Sequence, residues 1–184
     1  MGSETSLNEM LEGINESALR NENLFFTLFG RSVDINKMVK NISPLNVRSE
    51  IINCDEQILM TDKPIDAVRL KKNSSMQLSI DHVSSGKSHA VLSCGNTGAL
   101  MAISLLKLRT IASIRRPSIA SIWPNIKGES IVLDLGANIK NDTNSLIDNA
   151  ILGSALAKVL FSMAEPSIGL LNVGIEEMKG NENV

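Results

Sequence analysis

Short apolar runs alternate along this chain with longer stretches whose apolar residues recur at helical spacing, and few folds accommodate that alternation. Leu7, Met10, Leu11, Ile14, Ala18 and Leu19 predict an amphipathic helix. The run at residues 24–29, bounded by Asn23 and Gly30, suits a buried strand. Ile35, Met38, Val39 and Ile42 predict a second helix, stopped by Pro44, and residues 47–52 a second strand. Asp62 and Pro64 read as an N-cap region and an early helical proline, followed by a short basic helix to Lys72. Met76, Ile80 and Val83 carry another helix, which Gly86 can close. Residues 90–93 read as a strand, then CGNTG, then an apolar helix over 99–108. Strands at 118–122 and 130–135 flank a turn at 125–128, a helix covers 145–161, and a last strand covers 168–173. The pattern predicts one α/β domain over residues 1–184, with a three-layer, mostly parallel sheet and helices on both faces. The strand pair with the short link makes the sheet mixed if it is antiparallel.

Composition narrows the function. The net charge of -2 offers no general attraction for nucleic acid, so no nucleic-acid partner is expected. Cys54 and Cys94 are far apart, and His82 and His89 are the only histidines, so neither a disulfide framework nor a metal site is expected. The two histidines read as surface or helix-end residues rather than general bases. No secretory signal and no apolar run of membrane-spanning length is present in the sequence, which points to a cytoplasmic protein.

Three loops join glycine to amide, hydroxyl or charged groups where expected strands end: residues 94–98, 134–138 and 172–182. In open α/β sheets ligands bind beyond the carboxyl ends of the strands. Glycine lets backbone approach a ligand, and a helix N-terminus offers free N–H groups to an anion. Gly95, Asn96, Thr97 and Gly98 are therefore candidate phosphate or thioester contacts, with turn and cap chemistry as the plain alternative. Asn138 and Asn181 are candidate polar partners, and Lys179 a candidate phosphate counter-charge. Lys71 and Lys72 are further candidates; their alternative reading is a solvated basic helix face. Arg109, Arg115 and Arg116 form a local basic cluster that suits either an acidic partner or a solvated loop. Trp123 is expected to pack at a strand end. Neither GxGxxG nor GxxxxGK[ST] occurs, so nicotinamide and ATP gain no motif support.

The strings SCGNTGALMA, RRPSIASIWP, LDLGAN and GLLNVGIEEMKGNE, in that order, with DKPIDAVRLKKNSSM upstream, resemble the bacterial phosphate acyltransferase family PlsX. The resemblance runs from about Leu11 to Asn181 and matches the N-terminal half of that family, without its first strand and DAMGGD-like loop and without its C-terminal half. Cys94 stands where the family usually has Ala, and Ile175 where it usually has Glu. The resemblance implies a Rossmann-like, isopropylmalate dehydrogenase-like fold. It implies conversion of acyl-acyl carrier protein and inorganic phosphate to acyl phosphate and free carrier, in phospholipid synthesis, with no cofactor. Lys179 and Asn96 would then be catalytic; Gly95, Thr97, Gly98, Asn138, Asn181, Lys71 and Lys72 would bind substrate or phosphate. Arg109, Arg115 and Arg116 would dock the carrier protein. A homodimer and peripheral contact with the inner face of the membrane are further expectations. Two alternatives stand beside this: a phosphate acetyl- or butyryltransferase using coenzyme A thioesters, and a non-catalytic fragment serving only binding or assembly.

Overall fold

The structure, a computed structural model, describes residues 2–136 and 142–172. The chain divides into two compact units, Met1–Arg109 and Thr110–Val184.

In the first unit, helix α1 spans Leu7–Arg20. Its start is fixed by a capping box: Ser6 N–H donates to Glu9 Oε2 at 2.9 Å, and Glu9 N–H donates to Ser6 Oγ at 3.3 Å. Strand β1 (Phe26–Gly30), helix α2 (Ser32–Val39) and strand β2 (Ser49–Asn53) form a βαβ unit. The two strands pair in parallel from Phe26 opposite Ser49 to Gly30 opposite Asn53. Leu11, Ile35, Val39 and Leu45 are buried between these elements, with Phe26, Leu28 and Ile51 packed against them.

Helices α3 (Pro64–Leu70), α4 (Ser75–Ser84) and α5 (Thr97–Leu108) complete the unit. Their shared core is Ile58, Ala67, Met76, Ile80, Ala99 and Ile103. Pro64 occupies the first turn of α3, where its missing N–H costs nothing, as the sequence predicts. The residue capping α3 is Lys63, without a side-chain bond, and Asp62 is turned to other work described below. Gly86 ends α4 as expected. At φ 73° it lets Gly86 N–H reach Val83 O (3.0 Å) and Lys87 N–H reach His82 O (2.9 Å), a Schellman closure.

In the second unit, strands β3 (Ala120–Asn125) and β4 (Gly128–Leu133) pair antiparallel through a tight turn, as the short link suggests. Trp123 lies inside β3 and is 49% exposed, not packed at a strand end. Helix α6 (Thr143–Phe161) starts at Asp142, whose carboxylate accepts the Ser145 N–H at 2.7 Å. Gly153 lies where α6 meets β4: a Cβ there would stand 2.8 Å from Leu133 Cδ1.

The protein is thus α/β, with one parallel and one antiparallel strand pair among the described residues. Two expected strands are absent. Residues 90–93 and 168–172 form no ladder, and Leu92, Ile168 and Leu171 are exposed. An apolar run becomes a strand only when a neighbour exchanges backbone hydrogen bonds with it, and neither run pairs in a ladder with a described strand. Residue 173, the end of the second run, lies outside the described residues. No described helix is long and apolar enough to cross a membrane.

Candidate functional site

The GNTG segment sits at the start of α5, but no strand leads into it, because residues 90–93 are irregular. Asn96 is the N-cap residue of α5; its Oδ1 accepts the Ala99 N–H at 3.0 Å. Its amide Nδ2 donates toward three carbonyl oxygens of one turn: Leu59 O at 3.1 Å, Met60 O at 3.2 Å and Asp62 O at 2.9 Å. The residue is only 7% exposed, so the protein itself consumes the side chain.

Lys71 belongs to the same assembly. Its Nζ lies 2.5 Å from Asp62 Oδ2 and 2.9 Å from Gln57 O. The Asp62 carboxylate also accepts the Leu59 N–H at 2.7 Å. The hydrogen bond from Lys71, then the one from Leu59, hold the Asp62 carboxyl below the usual carboxylate range. The structure therefore brings Asn96 and Lys71 together, through Asp62, on the turn at residues 59–62. Lys72, the neighbouring lysine, is exposed.

The glycines of the segment answer to packing. A Cβ at Gly98 would come within 2.9 Å of Pro64 Cγ, so the start of α5 lies against the first turn of α3. A Cβ at Gly95 would meet Met76 Cε at 3.2 Å. Thr97, the first residue of α5, keeps its side chain exposed. Cys94 beside it is exposed, whereas Cys54 is buried and burial pushes its thiol pKa up.

Arg109 closes α5 in the first unit, while Arg115 and Arg116 belong to the second. Arg115 is tied to acidic residues of its own unit: Nε is 3.3 Å from Asp148 Oδ2 and Nη2 is 3.4 Å from Asp142 Oδ1. Arg116 is exposed. Asn138, Lys179 and Asn181 lie outside the described residues. No cluster of metal-binding side chains exists among the described residues.

Sequence reasoning missed the partners rather than the polar residues. It read Asp62 as a helix cap and did not single out Asp148, which is 9% exposed and also accepts the Arg115 N–H at 3.2 Å. Gln77, in the interior of α4 and 2% exposed, was also missed; its amide donates to Ala67 O and Val68 O at 3.3 and 3.1 Å. A lone glutamine between the apolar positions Met76 and Ile80 was the available signal.

The family model described as "Fatty acid synthesis protein" matches residues 1–184. The chain belongs to that family. It is the PlsX family whose motif strings the sequence resembles. Among curated relatives, the phosphate acyltransferase of Azorhizobium caulinodans is 44% identical over 185 residues, covering 100% of this chain and 52% of the relative. The phosphate acyltransferase of Afipia carboxidovorans is 43% identical with the same coverage. That of Mesorhizobium japonicum is 45% identical over 168 residues, covering 91% of this chain and 47% of the relative. The chain thus spans about half the length of the curated relatives it matches.

Proposed function

We propose that this chain contributes the phosphate-facing half of a phosphate acyltransferase that uses acyl-acyl carrier protein. The observation that carries the reading is the family match over residues 1–184, with relatives named phosphate acyltransferase. In the reaction, a phosphate oxygen attacks the thioester carbonyl carbon. The C–O bond forms, the C–S bond breaks, and the carrier thiolate departs and takes up a proton. The acyl group leaves on phosphate, and no redox partner is needed.

Two anionic demands follow: holding phosphate next to the carbonyl, and stabilising the oxyanion of the tetrahedral intermediate. Lys179 supplies positive charge to the phosphate, and Asn138 and Asn181 supply side-chain hydrogen bonds. The Thr97 and Gly98 N–H groups and the Thr97 hydroxyl face the substrate at the start of α5, where the helix dipole favours an anion, and Gly95, whose N–H donates to Ser93 Oγ at 3.2 Å, lets the backbone approach it. Lys72 is an outlying cation for the phosphate. Arg109 and Arg116 meet the acidic carrier, and Arg115, already ion-paired, adds less. The fold assigned to the complete enzyme is a three-layer, Rossmann-like α/β domain, of which this chain is one part. The enzyme works as a homodimer at the inner face of the membrane.

The test is release of free thiol from palmitoyl-acyl carrier protein, against palmitoyl-coenzyme A, with and without inorganic phosphate. Phosphate-dependent release from the carrier substrate supports the reading. A preference for the coenzyme A thioester replaces it with the acetyl- or butyryltransferase alternative, and release indifferent to phosphate overturns it.

A further inference from the structure

An asparagine in a glycine-rich loop is ordinarily read as a substrate ligand, but here both halves of the Asn96 amide are occupied. Its two N–H bonds are shared among the carbonyls of Leu59, Met60 and Asp62, and its oxygen caps Ala99. A side-chain amide has two donor hydrogens and one acceptor oxygen, so a substrate oxygen would find no free donor on it. The same turn is tied a second time. Lys71 Nζ bridges the Asp62 carboxylate and Gln57 O, and that carboxylate receives the Leu59 N–H. The two clamps converge on Asp62, Asn96 at its carbonyl and Lys71 at its carboxylate. Two residues later Pro64 packs on Gly98, leaving no room for a methyl group.

We infer that Asn96 is a positioning residue, which locks the turn at residues 59–62 to the start of α5 and so sets the shape of the GNTG loop. Lys71 and Asp62 brace the same turn. The kinetic part of this inference rests on the reading above that the loop meets phosphate or thioester; the structural part does not.

Asn96→Asp separates the possible roles. A carboxylate can still cap Ala99, but it turns the donor into an acceptor facing three carbonyl oxygens. In amide exchange of the 184-residue chain followed by NMR, the Leu59 amide should exchange about tenfold faster or more in this variant, while Ala99 stays within about twofold. Unchanged Leu59 protection would overturn the inference. Should the variant fold poorly, the parent protein still decides: the Asn96 side-chain amide protons should exchange at least about tenfold more slowly than those of a solvated asparagine. Exchange at the solvated rate would refute the lock.

Kinetics distinguish positioning from contact. In phosphate-dependent thiol release well below the unfolding midpoint, Asn96→Asp and Asp62→Asn should each lower kcat, with the phosphate KM within about twofold. Their double variant should lose less than the product of the two single losses, because both release one turn. A direct ligand would give a different result: a phosphate KM at least about tenfold higher in Asn96→Asp alone. If the parent chain shows no phosphate-dependent release, the functional reading fails and the exchange data judge the lock by themselves.

Discussion

Two glycine-to-alanine substitutions in helices of the first unit should move stability in opposite directions. In α5, the new Cβ of Gly98→Ala would stand 2.9 Å from Pro64 Cγ. Carbon atoms prefer roughly 3.5–4.0 Å, and the proline ring, closed onto its own backbone in the first turn of α3, cannot swing aside as a long side chain could. Overpacking of this kind costs about 1–3 kcal/mol. Replacing a helical glycine with alanine returns about 0.5–1 kcal/mol by restricting the unfolded chain. The net expectation is a loss of up to about 2.5 kcal/mol. In α1, Gly13→Ala meets nothing within 4 Å, so only the propensity gain remains and the protein should be stabilised by about 0.5–1 kcal/mol. Urea unfolding followed by far-UV circular dichroism reads both, since the single tryptophan, Trp123, lies in the other unit. With a urea slope of about 1–3 kcal/mol/M, midpoints should shift by a few tenths of a molar or more, in opposite senses. A Gly98→Ala protein stabilised as much as Gly13→Ala would refute the packing account of this glycine.

Other expectations follow from the same geometry. Ile80 is fully buried among Ile58, Met76 and Ile103, so Ile80→Ala should cost about 2–5 kcal/mol in unfolding free energy. The Asp62 carboxyl is held below its usual range, so its contribution is present above the unfolded value and lost as pH falls through the folded one. Asp62→Asn should therefore destabilise at neutral pH and flatten the acid limb of stability below about pH 4, as urea midpoints across pH will show. If the proposed function holds, Arg116→Glu should weaken binding of acyl carrier protein by isothermal titration calorimetry without changing the melting temperature. Arg115→Glu should also lower the melting temperature, because it strands the buried Asp148 beside a like charge.

How much of this was legible in the sequence depended on whether a signal was local. The helical spacing from Leu7 to Leu19, the Gly86 stop, Pro64 at a helix start and the tight link of the hairpin all act within a few residues, and each yielded the element the sequence predicts. Residues 90–93 and 168–172 have strand composition, but a ladder needs a distant partner that composition does not name. The site was half legible for a related reason. Asn96 was recognisable as a polar group in a glycine-rich loop and Lys71 as one of a pair of adjacent lysines, yet their partners are largely backbone carbonyls, which every residue carries and no motif encodes. Gly98 shows the same ambiguity: a missing side chain admits a ligand or a neighbouring helix equally well, and here Pro64 takes the space.

Transfer of the acyl group to phosphate is what we propose, and trapping the product reads it without an intermediary. Palmitoyl-acyl carrier protein and inorganic phosphate would be incubated with the protein, then quenched in hydroxylamine, which converts acyl phosphate to a hydroxamate resolved by mass spectrometry. Palmitoyl hydroxamate should form in amounts that rise with phosphate and match the free carrier thiol released. Thiol release accompanied by free palmitate alone, or no release from folded protein, would contradict it.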